Sequence, residues 1–99
     1  MATRRISLSV NDVPIDIDYF VQGFIDHVMG GILVSLRSSG EIRTLDVSID
    51  GEEVTINLNG AVVPINPFVN SIIRNTIAGM VSSLKGVSEI HSIRISVRR

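Results

Sequence analysis

Apolar and polar residues alternate from Thr3 to Val10, with Ile6, Leu8 and Val10 on one side and Arg5, Ser7 and Ser9 on the other. That period of two marks a half-buried strand. Asn11-Asp12 supplies turn residues, and a two-residue hairpin there pairs Val10 with Val13, Leu8 with Ile15 and Ile6 with Ile17, placing all six on one face. From Ile17 to Leu36 the period changes. Phe20, Val21, Phe24, Ile25, Val28, Met29, Ile32, Leu33 and Leu36 recur at helical spacing behind an Asp18 cap, and Ser38-Ser39-Gly40 closes the helix. Ile42 to Ile49 returns to strand alternation, with Leu45, Val47 and Ile49 inward. Asp50-Gly51 is a type I′ hairpin signal leading into Glu53 to Leu58, where Val54, Ile56 and Leu58 face the core. Asn59-Gly60 is a second such signal, pairing Leu58 with Ala61, Ile56 with Val63 and Val54 with Ile65. The stretch Ile65 to Leu84 then reads as one amphipathic helix capped by Asn66, with Pro67 in its first turn. Its apolar face is Phe68, Val69, Ile72, Ile73, Ile77, Met80, Val81 and Leu84, and it ends near Lys85-Gly86. Glu89 to Arg98 forms the last strand, with Ile93, Ile95 and Val97 inward.

The two helices repeat one pattern. Displacing the chain on itself by 48 positions aligns Ile6 to Ile49 with Val54 to Val97 without a gap. Identical pairs include Asn11/Asn59, Ile17/Ile65, Phe20/Phe68, Val21/Val69, Ile25/Ile73, Gly31/Gly79 and Ser48/Ser96. This predicts a tandem duplication with an approximate two-fold axis, its halves about 3–50 and 51–99 of a single domain spanning 1–99. The order strand, helix, strand, strand, helix, strand resembles the ferredoxin-like βαββαβ fold over almost the whole chain. The resemblance implies an α+β two-layer sandwich, with two helices on one face of a mainly antiparallel sheet. It implies no activity, because such a fold hosts many unrelated functions. The cysteines that hold an iron–sulfur cluster in ferredoxins are absent. Val13 to Ile17 and Ala61 to Ile65 read as extra short strands, so a duplicated ββαβ unit is the rival architecture.

Composition changes the picture in three ways. A hydrophobic share of 44% and a mean hydropathy of +0.37 are high for a chain of 99 residues, which suggests that some apolar surface is shared with a partner. A net charge of −1 gives no global attraction to nucleic acid or an anionic membrane. The lack of cysteine excludes disulfides, thiolate catalysis and cysteine-ligated metals. Met1 to Asn11 lacks the apolar core of a signal peptide, and Asp26 and His27 interrupt a helix whose apolar runs are too short to span a bilayer. The expectation is a cytoplasmic protein with no membrane span.

Candidate chemistry is sparse. His27 and His91 lie in no metal-ligand spacing, no serine sits in a GxSxG elbow, and the glycines form neither a P-loop nor GxGxxG. No catalytic, metal or cofactor residue is therefore assigned. Gly23, His27 and Gly31 recur at helical spacing as Ser71, Asn75 and Gly79. Such a track receives either a partner helix or the other helix of the same chain, and the latter is the simpler expectation. Arg4, Arg5, Arg94, Arg98 and Arg99 form a basic cluster, and Asp46, Asp50, Glu52 and Glu53 an acidic one. If the first and last strands are antiparallel neighbours, Arg4, Arg5, Arg98 and Arg99 share a corner fit for an anion or a partner's acidic edge. The outward sheet face, Ser7, Ser9, Asp46, Ser48, Thr55, Asn57, Arg94 and Ser96, has no aromatic on which a base could stack, which argues against RNA recognition. The leading expectation is a non-catalytic interaction or self-assembly domain forming a homo-oligomer or binding a protein partner. The alternative is a module that binds an anionic ligand or nucleic acid at the arginine corner, and an enzyme would need a pocket of convergent polar groups.

Overall fold

The computed structural model describes residues 5–36, 41–84 and 89–99. The chain forms β1 (Arg5–Val10), β2 (Val13–Ile15), α1 (Tyr19–Ser35), β3 (Thr44–Asp50), β4 (Glu53–Leu58), β5 (Ala61–Val62), α2 (Pro67–Ser82) and β6 (Ser92–Arg98). The expected helix ends at Ser38-Ser39-Gly40 and Lys85-Gly86 lie outside the described residues.

Local chemistry accounts for most of the elements. Asn11 and Asp12 take φ of 53° and 66°, and Asn59 and Gly60 take 52° and 87°. Asn, Asp and Gly tolerate this left-handed region, and consecutive positive φ values make the tight type I′ turn that matches strand twist. The registers follow: Val10 stands opposite Val13, Leu8 opposite Ile15, and Leu58 opposite Ala61. Ile6 with Ile17 and Val54 with Ile65 do not join the ladders, because β2 stops at Ile15 and β5 at Val62, although the Val63 amide still donates to the Ile56 carbonyl at 2.9 Å. The central hairpin differs from expectation by one residue. Asp50 pairs with Glu53, so its loop is Gly51-Glu52, and only Gly51 (φ 61°) is left-handed, the pattern of a type II′ turn. Both helices start on the expected caps: Asp18 Oδ1 accepts from the Val21 amide and Asn66 Oδ1 from the Val69 amide, each at 2.8 Å.

The strands join in one antiparallel sheet in the order β2-β1-β6-β3-β4-β5. The first and last strands are neighbours, as expected. The four-strand βαββαβ arrangement is not what forms: the described residues make six strands, and β3 and β6, each following a helix, hold the centre. Each half hairpins at a sheet edge and then sends its helix back over the sheet. The third strand thereby reaches the middle, where Leu45, Val47 and Ile49 meet Val97, Ile95 and Ile93. The element order is ββαβ twice, and the strand order is unchanged when the two halves are exchanged.

The tie-points of the sheet repeat with the same 48-residue offset. The Asn59 side chain donates to the Glu41 carbonyl (2.8 Å) and accepts from the Arg43 and Thr44 amides (2.8 and 3.0 Å). Asn11 donates to the Glu89 carbonyl (2.7 Å) and accepts from the His91 and Ser92 amides (2.6 and 3.0 Å). Each asparagine thus ties the turn of its hairpin to the chain entering a central strand.

The core lies between the sheet and the helices. Ile25, Met29 and Leu33 from α1 and Ile73, Ile77 and Val81 from α2 cover Ile6, Leu8, Val10, Leu45, Val47, Ile49, Val54, Ile56, Ile93, Ile95 and Val97, all buried. Where the two helices meet above Leu45, Val47 and Ile56, the gap between Met29, Ile32, Leu33, Ile73 and Ile77 has no room for a water molecule. Among the described residues no helix is long and apolar enough to cross a membrane.

Candidate functional site

The outward side of the helix layer departs most from what a soluble helix presents. On α1, Phe20, Phe24, His27, Gly31 and Val34 are exposed, and on α2 so are Phe68, Ile72, Asn75, Gly79 and Ser82. The two sets coincide under the 48-residue offset. At 100° per residue each forms a single stripe, roughly 180° from the buried residues of its own helix. Phe20 is 73% exposed, Phe68 71%, Phe24 48% and Ile72 49%. Phe20 and Phe24 also touch each other, with ring centroids 6.2 Å apart. Helical spacing places these four on the apolar face expected to pack on the core, and in the structure they face outward instead. The warning in the sequence is the width of the apolar arc, since the nine residues from Phe20 to Leu36 named for that face exceed what one buried face can hold.

The stripes carry no acid and no Lys or Arg. The chain has nine basic and ten acidic residues, yet within the helices only Asp26 and Arg74 are charged, and neither is exposed. The His27 ring donates from Nδ1 to the Gly23 carbonyl at 2.7 Å, which turns Nε2 outward.

The glycine track is placed on this same side. Gly31, Ser71 and Gly79 are exposed, and Gly23 is half-buried. A Cβ added at Gly30, Gly31 or Gly79 would meet nothing within 4 Å. No close crossing of the chain's own helices therefore occurs at Gly31 or Gly79; the closed gap between the helices is lined instead by Met29, Ile32, Leu33, Ile73 and Ile77.

The arginine cluster is brought together only in part. Arg5 stands directly opposite Arg98, while Arg94 sits four residues up β6 beside Ser9 and Ser48. Arg4 lies outside the described residues. Carboxylates neutralise most of the cluster: Arg98 pairs with Asp46 at 3.1 Å, Arg94 with Asp50 at 3.0 Å and Arg99 with Asp26 at 2.7 Å. Two residues of the acidic cluster, Asp46 and Asp50, are thus the partners of two of the arginines across β3 and β6. Asp26 is the one buried charge of the described core, 3% exposed. Its repeat equivalent, Arg74, instead donates from Nε to the Gly51 carbonyl at 3.1 Å.

A cleft of about 570 Å³ lies between the central hairpin turn and the start of α2, lined by Glu52, Glu53, Ile65, Asn66, Pro67, Asn70, Ser71, Arg74 and Asn75. Four of its polar side chains, Asn66, Asn70, Arg74 and Asn75, are engaged with the fold. Asn70 accepts from the Val54 amide (2.9 Å) and donates to the Glu52 carbonyl (2.7 Å), Arg74 bonds Gly51 and Asn75, and Asn66 caps α2. A second depression of about 490 Å³ lies on the outward sheet face over Ser7, Ser9, Asp46, Ser48, Arg94 and Ser96. Among the described residues no three His, Asp or Glu side chains converge as metal ligands. No family model matches the chain, and neither a curated protein nor a solved structure matches it.

Proposed function

We propose that the chain is a small non-catalytic interaction domain of the cytoplasm that self-associates. One observation carries this reading: the outward faces of both helices are free of charge and expose Phe20, Phe24, Val34, Phe68 and Ile72. Solvated helix faces are normally laced with charged residues, whereas the buried centres of interfaces are depleted of them and enriched in aromatics. The sheet edges are poor candidates for assembly, because β2 and β5 span three residues and two, with Pro14 in one and Pro64 just beyond the other. The two halves are read as the product of a tandem duplication, which gives the domain two equivalent faces. The alternative, an anion or nucleic-acid site at the arginine corner, draws less support, since Arg94, Arg98 and Arg99 already face carboxylates.

Size-exclusion chromatography with light scattering at tens to hundreds of micromolar tests the reading. A dimer or larger species is expected, in an equilibrium little altered by salt. A clean monomer throughout that range refutes it.

A further inference from the structure

We infer that self-association, on which this inference rests, occurs helix layer against helix layer with a second copy of the chain, and that aromatic knobs of one copy fill the glycine gaps of the other.

The area is substantial. Val34 (75% exposed) joins Phe20, Phe24, Phe68 and Ile72 on the two stripes. Taking about 200 Å² for an aromatic side chain and about 150 Å² for Val or Ile, the five expose roughly 570 Å² of apolar surface, the larger part of the about 800 Å² per partner in a standard interface. Charge permits a second copy, since facing stripes with no fixed charge bring no like charges together. The same lack of Lys and Arg leaves the layer without the basic rim of a helix that lies on an anionic membrane.

Geometry specifies the arrangement. Leu84, just beyond α2, shares an opening with Ile17 and Val21 at the start of α1, so the two helices run antiparallel. A face-to-face dimer is two-fold, with its axis in the plane of contact. Whether that axis runs along the helices or across them, each helix meets an antiparallel partner helix. With the crossing centred on His27 or Asn75, Phe24 or Ile72 comes over Gly31 or Gly79 of the other copy. The missing Cβ atoms then have a use. Each glycine inside a helix costs about 1 kcal/mol relative to Ala, and nothing within the described chain approaches Gly31 or Gly79.

The test uses Gly31→Leu/Gly79→Leu and Phe24→Ser/Ile72→Ser, each double variant compared with the wild type by sedimentation equilibrium. Both are expected to raise the dimer Kd at least tenfold. The glycine variant should melt no lower than the wild type at concentrations where both are monomeric, which separates lost association from lost folding. The chain has no cysteine, so His27→Cys and the His27→Cys/Asn75→Cys pair report the crossing by disulfide trapping. A wild-type oligomer whose Kd is unchanged by both double variants overturns this surface while self-association stands. A monomeric wild type overturns both, and co-sedimentation of that monomer with phosphatidylcholine vesicles would assign the layer to lipid instead.

Discussion

Replacing Asn59 tests how the turns hold the sheet. Asn59→Ala removes three side-chain hydrogen bonds, to the Glu41 carbonyl and from the Arg43 and Thr44 amides. It also asks Ala to keep a φ of 52°. The bonded groups are at the surface, so water takes up part of the loss, and a net value of about 0.5 kcal/mol per bond, the low end of the usual range, is appropriate. A non-glycine, non-Asn residue in the left-handed region adds roughly 1–2 kcal/mol. Asn59→Ala should therefore lose about 2.5–3.5 kcal/mol. Asn59→Gly keeps the conformation and loses only the bonds, so it should cost about 1 kcal/mol less than Ala. Asn11→Ala should match Asn59→Ala to within about 0.5 kcal/mol, because its bonds repeat those of Asn59. The assay is urea unfolding followed by helical circular dichroism at one fixed protein concentration, since association would shift the midpoint. A loss below about 0.5 kcal/mol for Asn59→Ala, or an equal loss for Ala and Gly, would refute this reasoning.

The other predictions concern the buried charge and the glycines. Arg99→Ala leaves the buried Asp26 carboxylate without its guanidinium and should cost roughly 3 kcal/mol, whereas Asp26→Ala leaves a partly exposed Arg99 that turns to water, and should cost less; the same urea unfolding would count against the pairing if the two losses were equal or reversed in order. Gly31→Ala and Gly79→Ala add a methyl in open space on a helix, and should each raise monomer stability by about 0.5–1 kcal/mol. Gly51→Ala, at φ 61°, should lower it by about 1 kcal/mol or more. Thermal melts at low concentration read all three, and destabilisation by the helical substitutions would mean that those glycines are packed within the chain after all.

Much of the fold was legible because it is local. Asn11-Asp12 and Asn59-Gly60 encode their own turn geometry, and a two-residue loop dictates the register of the strands it joins. Asp18 and Asn66 cap their helices through bonds three residues away. Alternation in β1, β3, β4 and β6 determined which side chains would be buried, and Ile6, Leu8, Val10, Leu45, Val47, Ile49, Val54, Ile56, Ile93, Ile95 and Val97 all are. The central turn lies one residue from its expected place because Asp-Gly satisfies type I′ and Gly-Glu type II′ equally well, and only the pairing of Asp50 with Glu53 selects between them.

By itself, then, the sequence determined the elements, the turn at each end of the sheet, the inward face of each strand and the correspondence of residues 48 apart. Those properties depend on neighbours a few positions away, or on comparing the chain with itself. The tertiary structure alone decided that β3 and β6 hold the centre, that Asp46, Asp50 and Asp26 take up Arg98, Arg94 and Arg99, and that Phe20, Phe24, Phe68 and Ile72 face outward. Periodicity marks a helix face as apolar but carries no sign of what will cover it. Two helices on one sheet can bury only the arc that touches strands, and the rest of the apolar arc, with its glycines, stays exposed.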